Sequence, residues 1–102
     1  MSTTKEYITN SVEVSSTSPL DLDVVQELGA VADSGWLTSD DGSILVQLNG
    51  IETPKIPLES GDTLNFEKED KWSIKRVKVT TTSVSSLTIR YFLRKKVEIV
   101  LS

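Results

Sequence analysis

The side chains of this sequence that could do chemistry are carboxylates, two tryptophans and a set of arginines and lysines, because histidine and cysteine are both absent. Without imidazole there is no ordinary general base near neutral pH and no common metal-binding nitrogen. Without thiols there are no disulfides, no thiolate nucleophile and no cysteine-based zinc site. Most hydrolase, transferase and zinc chemistries lose their central residue, and a non-enzymatic role is expected, with no cofactor and no metal.

Two groups of carboxylates invite a site reading. Asp40-Asp41-Gly42 invites a calcium reading, but an EF-hand loop needs oxygen ligands at alternating positions from its start, and Leu37-Thr38-Ser39 supplies no first carboxylate. A turn is the simpler reading. Asp21-Leu22-Asp23 places two acids on one face if the segment is a strand, where solvation or helix capping explains them without a metal. Nothing in the spacing selects a glycosidase-type acid pair.

Trp36 and Trp72 each begin an apolar alternation and read as core or interface anchors, the alternative being indoles exposed to stack on sugar rings. Arg90 and Arg94 alternate with Leu87, Ile89, Tyr91 and Leu93 along one segment, so they share the side opposite the apolar one. These four, Trp36, Trp72, Arg90 and Arg94, are the candidate interface or ligand-stacking residues. Two basic runs, Lys68 to Lys78 and Arg94-Lys95-Lys96, suggest nucleic acid only superficially: the pI is about 4.7, and Glu67, Glu69 and Asp70 dilute the first run. No nucleic-acid partner is expected.

The elements that must carry these residues are short strands. One domain is the natural reading of 102 residues with 37% hydrophobic and 25% charged side chains, with residues 1–5 as a loose terminus. Tyr7 to Ser16 reads as an edge strand anchored by Ile8, Val12 and Val14. Ser18 as N-cap, Pro19 at the first helical position and Leu20, Val24 and Leu28 at i, i+4 and i+8 predict a short helix over 19–28 closed by Gly29. A strand with Leu20, Leu22 and Val24 on one face is the rival.

The sheet proper is expected to begin at Trp36. Ser39-Asp40-Asp41-Gly42 reads as a hairpin turn into a strand over 43–49 with Ile44, Val46 and Leu48 inward, and Asn49-Gly50 is the strongest turn signal. Pro54 and Pro57 confine Lys55-Ile56 to an edge, since proline cannot donate to a ladder. Ser60-Gly61-Asp62 turns into a strand over 63–67 with Leu64 and Phe66 inward. Trp72 and Ile74 share one parity and Val77 and Val79 the other, which a β-bulge near Lys75-Arg76 would reconcile. A strand from Leu87 and a last one over 97–101 complete an all-β antiparallel sandwich, or small jelly-roll-like barrel, of seven to eight short strands with one short N-terminal helix.

The phrases Val46-Gln47-Leu48-Asn49-Gly50, Ile56-Pro57-Leu58-Glu59-Ser60-Gly61-Asp62-Thr63-Leu64, Trp72-Ser73-Ile74-Lys75-Arg76-Val77-Lys78-Val79 and the segment Ser86 to Phe92 together resemble small virion proteins of tailed bacteriophages. The likeness covers about residues 35–94, and its motifs are largely hairpin grammar. It implies a structural role in capsid decoration, a head fibre or a tail, in a symmetric oligomer attached to other virion proteins, made in the host cytoplasm and carried in the particle. It carries over no catalytic residue. A carbohydrate-binding or host-attachment module that recognises a surface glycan is the alternative.

No apolar run approaches the length of a bilayer span, and the N-terminus lacks an apolar leader, so no membrane partner is expected. The net charge of −4 conceals an asymmetry. Residues 1–54 hold one base and nine acids, a net of −8, and residues 55–102 hold ten bases and six acids, a net of +4. Either the halves interleave and neutralise locally, or an acidic face of one subunit meets a basic face of the next.

Overall fold

The computed structural model describes residues 6–50 and 54–96. Among the described residues eight strands run in chain order: β1 (Tyr7–Val14), β2 (Leu20–Asp23), β3 (Ala32–Ser39), β4 (Ile44–Leu48), β5 (Ile56–Leu58), β6 (Thr63–Phe66), β7 (Arg76–Thr80) and β8 (Leu87–Lys95). They form two antiparallel four-stranded sheets, ordered β1-β8-β3-β6 and β2-β7-β4-β5, packed as a sandwich. The expected all-β antiparallel architecture is what the chain adopts. The expected closing strand over 97–101 and the loose terminus over residues 1–5 lie outside the described residues.

The core is filled from the inward parity of each strand. Leu87, Ile89, Tyr91 and Leu93 of β8 are buried, as are Ile44, Val46 and Leu48 of β4 and Val77 and Val79 of β7. Strand alternation does this directly, since successive side chains point to opposite faces. The central pairing of the first sheet depends on Gly35. Its φ is +140°, and a Cβ there would stand 1.9 Å from the Phe92 carbonyl oxygen. Only glycine lets β3 lie this close to β8, just after the register shift between Ala32 and Ser34.

Three expectations are corrected. The segment predicted as a helix over 19–28 is a strand followed by a single helical turn, α1 (Val24–Leu28). Asp23 rather than Ser18 is the N-cap, accepting a hydrogen bond from the Gln26 amide at 3.2 Å, while Gly29 closes the turn with φ +81° as expected. Leu20-Asp21-Leu22-Asp23 pairs with Arg76–Val79, and a ladder to β7 wins over local helix signals. Second, Ser39-Asp40-Asp41-Gly42 does not close a hairpin, because β3 and β4 belong to different sheets. The turn carries the chain across the sandwich and grips β8: the Asp40 amide donates to the Thr88 carbonyl, and the Thr88 amide to the Asp41 carboxylate, each at 2.9 Å.

Third, the parity change between Ile74 and Val77 is a change of partner rather than a bulge. Ile74 exchanges both backbone hydrogen bonds with Ala32 at the start of β3, and the Lys75 carbonyl accepts from Val24, before β7 enters the second sheet at Arg76. The sheet also begins earlier than Trp36, at Ala32.

The Asn49-Gly50 signal has a physical counterpart. Asn49 sits at φ +68°, and its side chain donates to the Ser73 carbonyl at 2.9 Å and accepts from the Lys75 amide at 2.7 Å, tying the end of β4 to the chain entering β7. The acidic and basic halves interleave. Arg76 reaches both Asp21 (3.0 Å) and Asp23 (3.4 Å) across β2–β7, and Arg90 grips Asp40 through two hydrogen bonds at 2.8 and 2.9 Å. Each pair joins an acid of the first half to a base of the second.

Candidate functional site

Strand register decides which outward side chains meet. On the exposed face of the first sheet, pairing places Thr9, Phe92, Trp36 and Asn65 in one row across β1, β8, β3 and β6. The next row toward one end holds Tyr7, Arg94 and Ser34, and the next toward the other holds Ser11, Arg90, Thr38 and Thr63.

Three rings stack along this face. Tyr7 lies 5.2 Å from Phe92 with planes 23° apart, and Phe92 lies 6.4 Å from Trp36 with planes 16° apart. Arg94 places its guanidinium carbon 5.8 Å from the Phe92 centroid, within cation–π range. Tyr7 is 49% exposed, so the row ends in solvent at the sheet edge. Its other end, Trp36, faces Asn65, a side chain too short to cover an indole.

Beside Trp36 lies an open depression of about 460 Å³ lined by Trp36, the Arg90–Asp40 pair, Thr38, Gly61, Thr63 and Asn65. The Thr63 hydroxyl donates to that of Thr38 (3.2 Å), which donates to the Asp62 carbonyl (2.8 Å), so Thr63 keeps an acceptor lone pair. The hydrogen bonds and charge of Asp40 raise the Arg90 guanidinium pKa above its ordinary value.

Three of the four sequence candidates, Trp36, Arg90 and Arg94, therefore meet on one face. Trp72 does not join them. It packs edge-on against the buried Phe66, centroids 5.1 Å apart and planes at 79°, with its indole N–H buried and unpartnered among the described residues. Sequence reasoning missed Tyr7, Phe92, Thr63 and Asn65. Phe92 was readable from its parity opposite Tyr91, whereas Asn65 joins only through the β3–β6 register. The paired acids Asp21 and Asp23 share an outward face, as a strand requires, and both are engaged by Arg76. Among the described residues no cluster of three or more acidic side chains could hold a metal ion, and no helix is long and apolar enough to cross a membrane.

The edge of this sheet is itself a feature. The Lys95 amide donates to the Glu6 carbonyl at 2.9 Å. The antiparallel alternation then turns the backbone groups of Ile8, Asn10, Val12 and Val14 toward β8 and those of Tyr7, Thr9, Ser11 and Glu13 away from it. The Ser11 amide is met by its neighbour's side chain, Asn10 Oδ1, at 2.8 Å. The β1–β8 register is unbroken across all eight pairs, without proline or bulge, and Glu13 is the only charge on the strand. The other edges are shorter: β6 and β2 have four residues each, and β5 has three and contains Pro57.

No protein-family model matches the chain, and no curated protein matches it.

Proposed function

We propose that the chain is a non-enzymatic structural subunit of a tailed-phage particle that self-associates by pairing β1 with β1 of a second copy. The observation that carries this reading is the eight-residue, bulge-free edge of β1, which leaves the outward backbone groups of Tyr7, Thr9, Ser11 and Glu13 without a strand neighbour among the described residues. Proteins blunt such edges with proline, charge, bulges or brevity, and β1 has none of these beyond Glu13. Two identical strands paired antiparallel about a two-fold axis satisfy the edge and close the assembly at a dimer. With Thr9 opposite Ser11 of the partner subunit, Tyr7 falls opposite Glu13 of the partner subunit, and no like charges meet. The two sheets then run on as one of eight strands, and each new backbone hydrogen bond contributes about 0.5–1.5 kcal/mol. The virion setting rests on the resemblance over residues 35–94, and the serine- and threonine-rich, histidine-free composition is compatible with it.

The test is Ser11→Pro. Its amide points away from β8 and in one copy donates to the Asn10 side chain, so proline there keeps the β1–β8 ladder and removes a donor that pairing with a second copy would use in place of that contact. Light scattering during size exclusion is expected to give twice 11.3 kDa for the native chain and 11.3 kDa for the variant. A native chain that is monomeric at every concentration, or a variant that stays dimeric with an unchanged circular dichroism spectrum, refutes the edge-pairing reading. The virion setting is tested separately by mass spectrometry of purified particles, in which the chain is expected as a stoichiometric component. Its absence from mature particles overturns that part.

A further inference from the structure

We propose that the depression beside Trp36 is a subsite for one neutral hexopyranose ring of a glycan. This inference stands apart from the β1 edge, which lies across the sheet on the far side of β8.

The depression differs from the centre of a protein–protein interface. Such centres are depleted in charge and rich in apolar contact. Here Trp36 is the one large apolar side chain of the lining, and apart from Gly61 the rest is hydroxyl, amide, carboxylate and guanidinium. That division suits a sugar ring, which presents a patch of C–H bonds on one face and hydroxyls around its rim. Trp36 is already stacked on Phe92 through one face, which holds the ring in place before any ligand arrives and leaves its other face toward Asn65. A platform already held in position loses little side-chain entropy on binding.

The polar groups match hydroxyls in both senses. Each Asp40 oxygen accepts one bond from Arg90 and retains acceptor capacity, and the second terminal nitrogen of Arg90 remains a donor. Thr63 retains an acceptor lone pair, and the exposed Asn65 side chain offers both a donor and an acceptor. A sugar hydroxyl donates and accepts at once, so this mixture is used in full by a polyol and only in part by a simple ion.

Charge narrows the class further. Asp40 is neutralised by Arg90 in a two-point contact, so the depression has no uncompensated charge. An acidic sugar would meet the Asp40 carboxylate, and a cationic ligand would meet Arg90. The ring expected is therefore neutral.

The experiment is a titration of the isotope-labelled full chain followed by amide and indole NMR. The probes are the methyl glycosides of glucose, galactose, mannose and N-acetylglucosamine, each taken to about 20 mM, the range in which a single-ring contact saturates. At least one sugar is expected to shift the Trp36 indole and Asn65 side-chain resonances together, leaving Trp72 unmoved. Trp36→Ala is expected to weaken that binding at least about tenfold. Asn65→Leu, an exposed change that leaves the indole in place, is expected to weaken it while the spectrum stays that of the folded chain. No shift with any of the four sugars overturns the proposal, as do shifts unaffected by both variants. Shifts at Trp36 that follow protein concentration without sugar also overturn it, because another copy would then cover the depression.

Discussion

The two sheets are built to opposite ends. The outer face of β2-β7-β4-β5 is cross-braced, with Arg76 spanning Asp21 and Asp23, and its edge strands have four and three residues, the latter interrupted by Pro57. The outer face of β1-β8-β3-β6 carries an aromatic row ending in solvent, a polar depression and an eight-residue edge. Both sheets bury the same kind of inward residues, so the core does not distinguish them. The difference is on the outside: one sheet carries the paired Arg76 between two short edge strands, and the other carries a row of rings and a long edge strand.

The largest expected effect falls on the contact-making sheet. Gly35→Ala places a methyl group 1.9 Å from a β8 carbonyl, where backbone rather than a flexible side chain must give way. A loss above about 4 kcal/mol is expected, which approaches the whole stability of a domain this size at the low end of the usual range of about 5–15 kcal/mol. A folded, merely weakened variant would mean that β3 and β8 can separate without losing the sandwich. Next comes Leu93→Ala, a fully buried β8 side chain, at about 2–5 kcal/mol by denaturant unfolding.

On the braced sheet the costs are smaller. Asn49→Ala removes two hydrogen bonds and forces a residue with a Cβ into φ +68°, and about 1–3 kcal/mol of stability is expected to go. Asn49→Gly, which tolerates that φ, should cost less, and equal costs would show that the hydrogen bonds alone matter. Arg76→Ala should cost under about 1 kcal/mol, because the pairs it breaks are half exposed.

A pH effect also separates the two sheets. Burial raises the pKa of the Tyr91 phenol above 10.0, partly offset by its bond with Asn10. A phenol that resists ionising in the folded state contributes stability below its unfolded pKa and loses it as pH rises above about 10. The native chain should therefore lose stability in that range more steeply than Tyr91→Phe. Parallel curves would mean that burial of Tyr91 does not govern its alkaline response.

Much of this was legible in residue order. The parity of Leu87, Ile89, Tyr91 and Leu93 placed the central strand and its inward face, Pro54 and Pro57 marked β5 as an edge, and Gly29 marked the end of α1. What local pattern could not show was partner choice. Asp40-Asp41-Gly42 has hairpin chemistry whether the next strand pairs with the last or crosses to the other sheet, and Ser18-Pro19 looks like a helix start until β7 is available to pair with Leu20–Asp23. Trp36 and Trp72 have similar surroundings in sequence, yet one lies on the outer face and the other against Phe66, because long-range register and not neighbouring residues assigns them. The candidate surface was visible one strand at a time, through Trp36, Arg90 and Arg94. Its completion by Tyr7 and Asn65 needed the sheet order.

Hydrogen–deuterium exchange at the backbone amides of Thr9 and Glu13 tests the edge most directly, because both point away from β8 and have no strand partner among the described residues. Pairing of β1 between copies predicts exchange that slows as protein concentration rises and returns to the fast rate in Ser11→Pro. Fast exchange at these two amides at every concentration, with Ile8 and Val12 protected throughout, would contradict it.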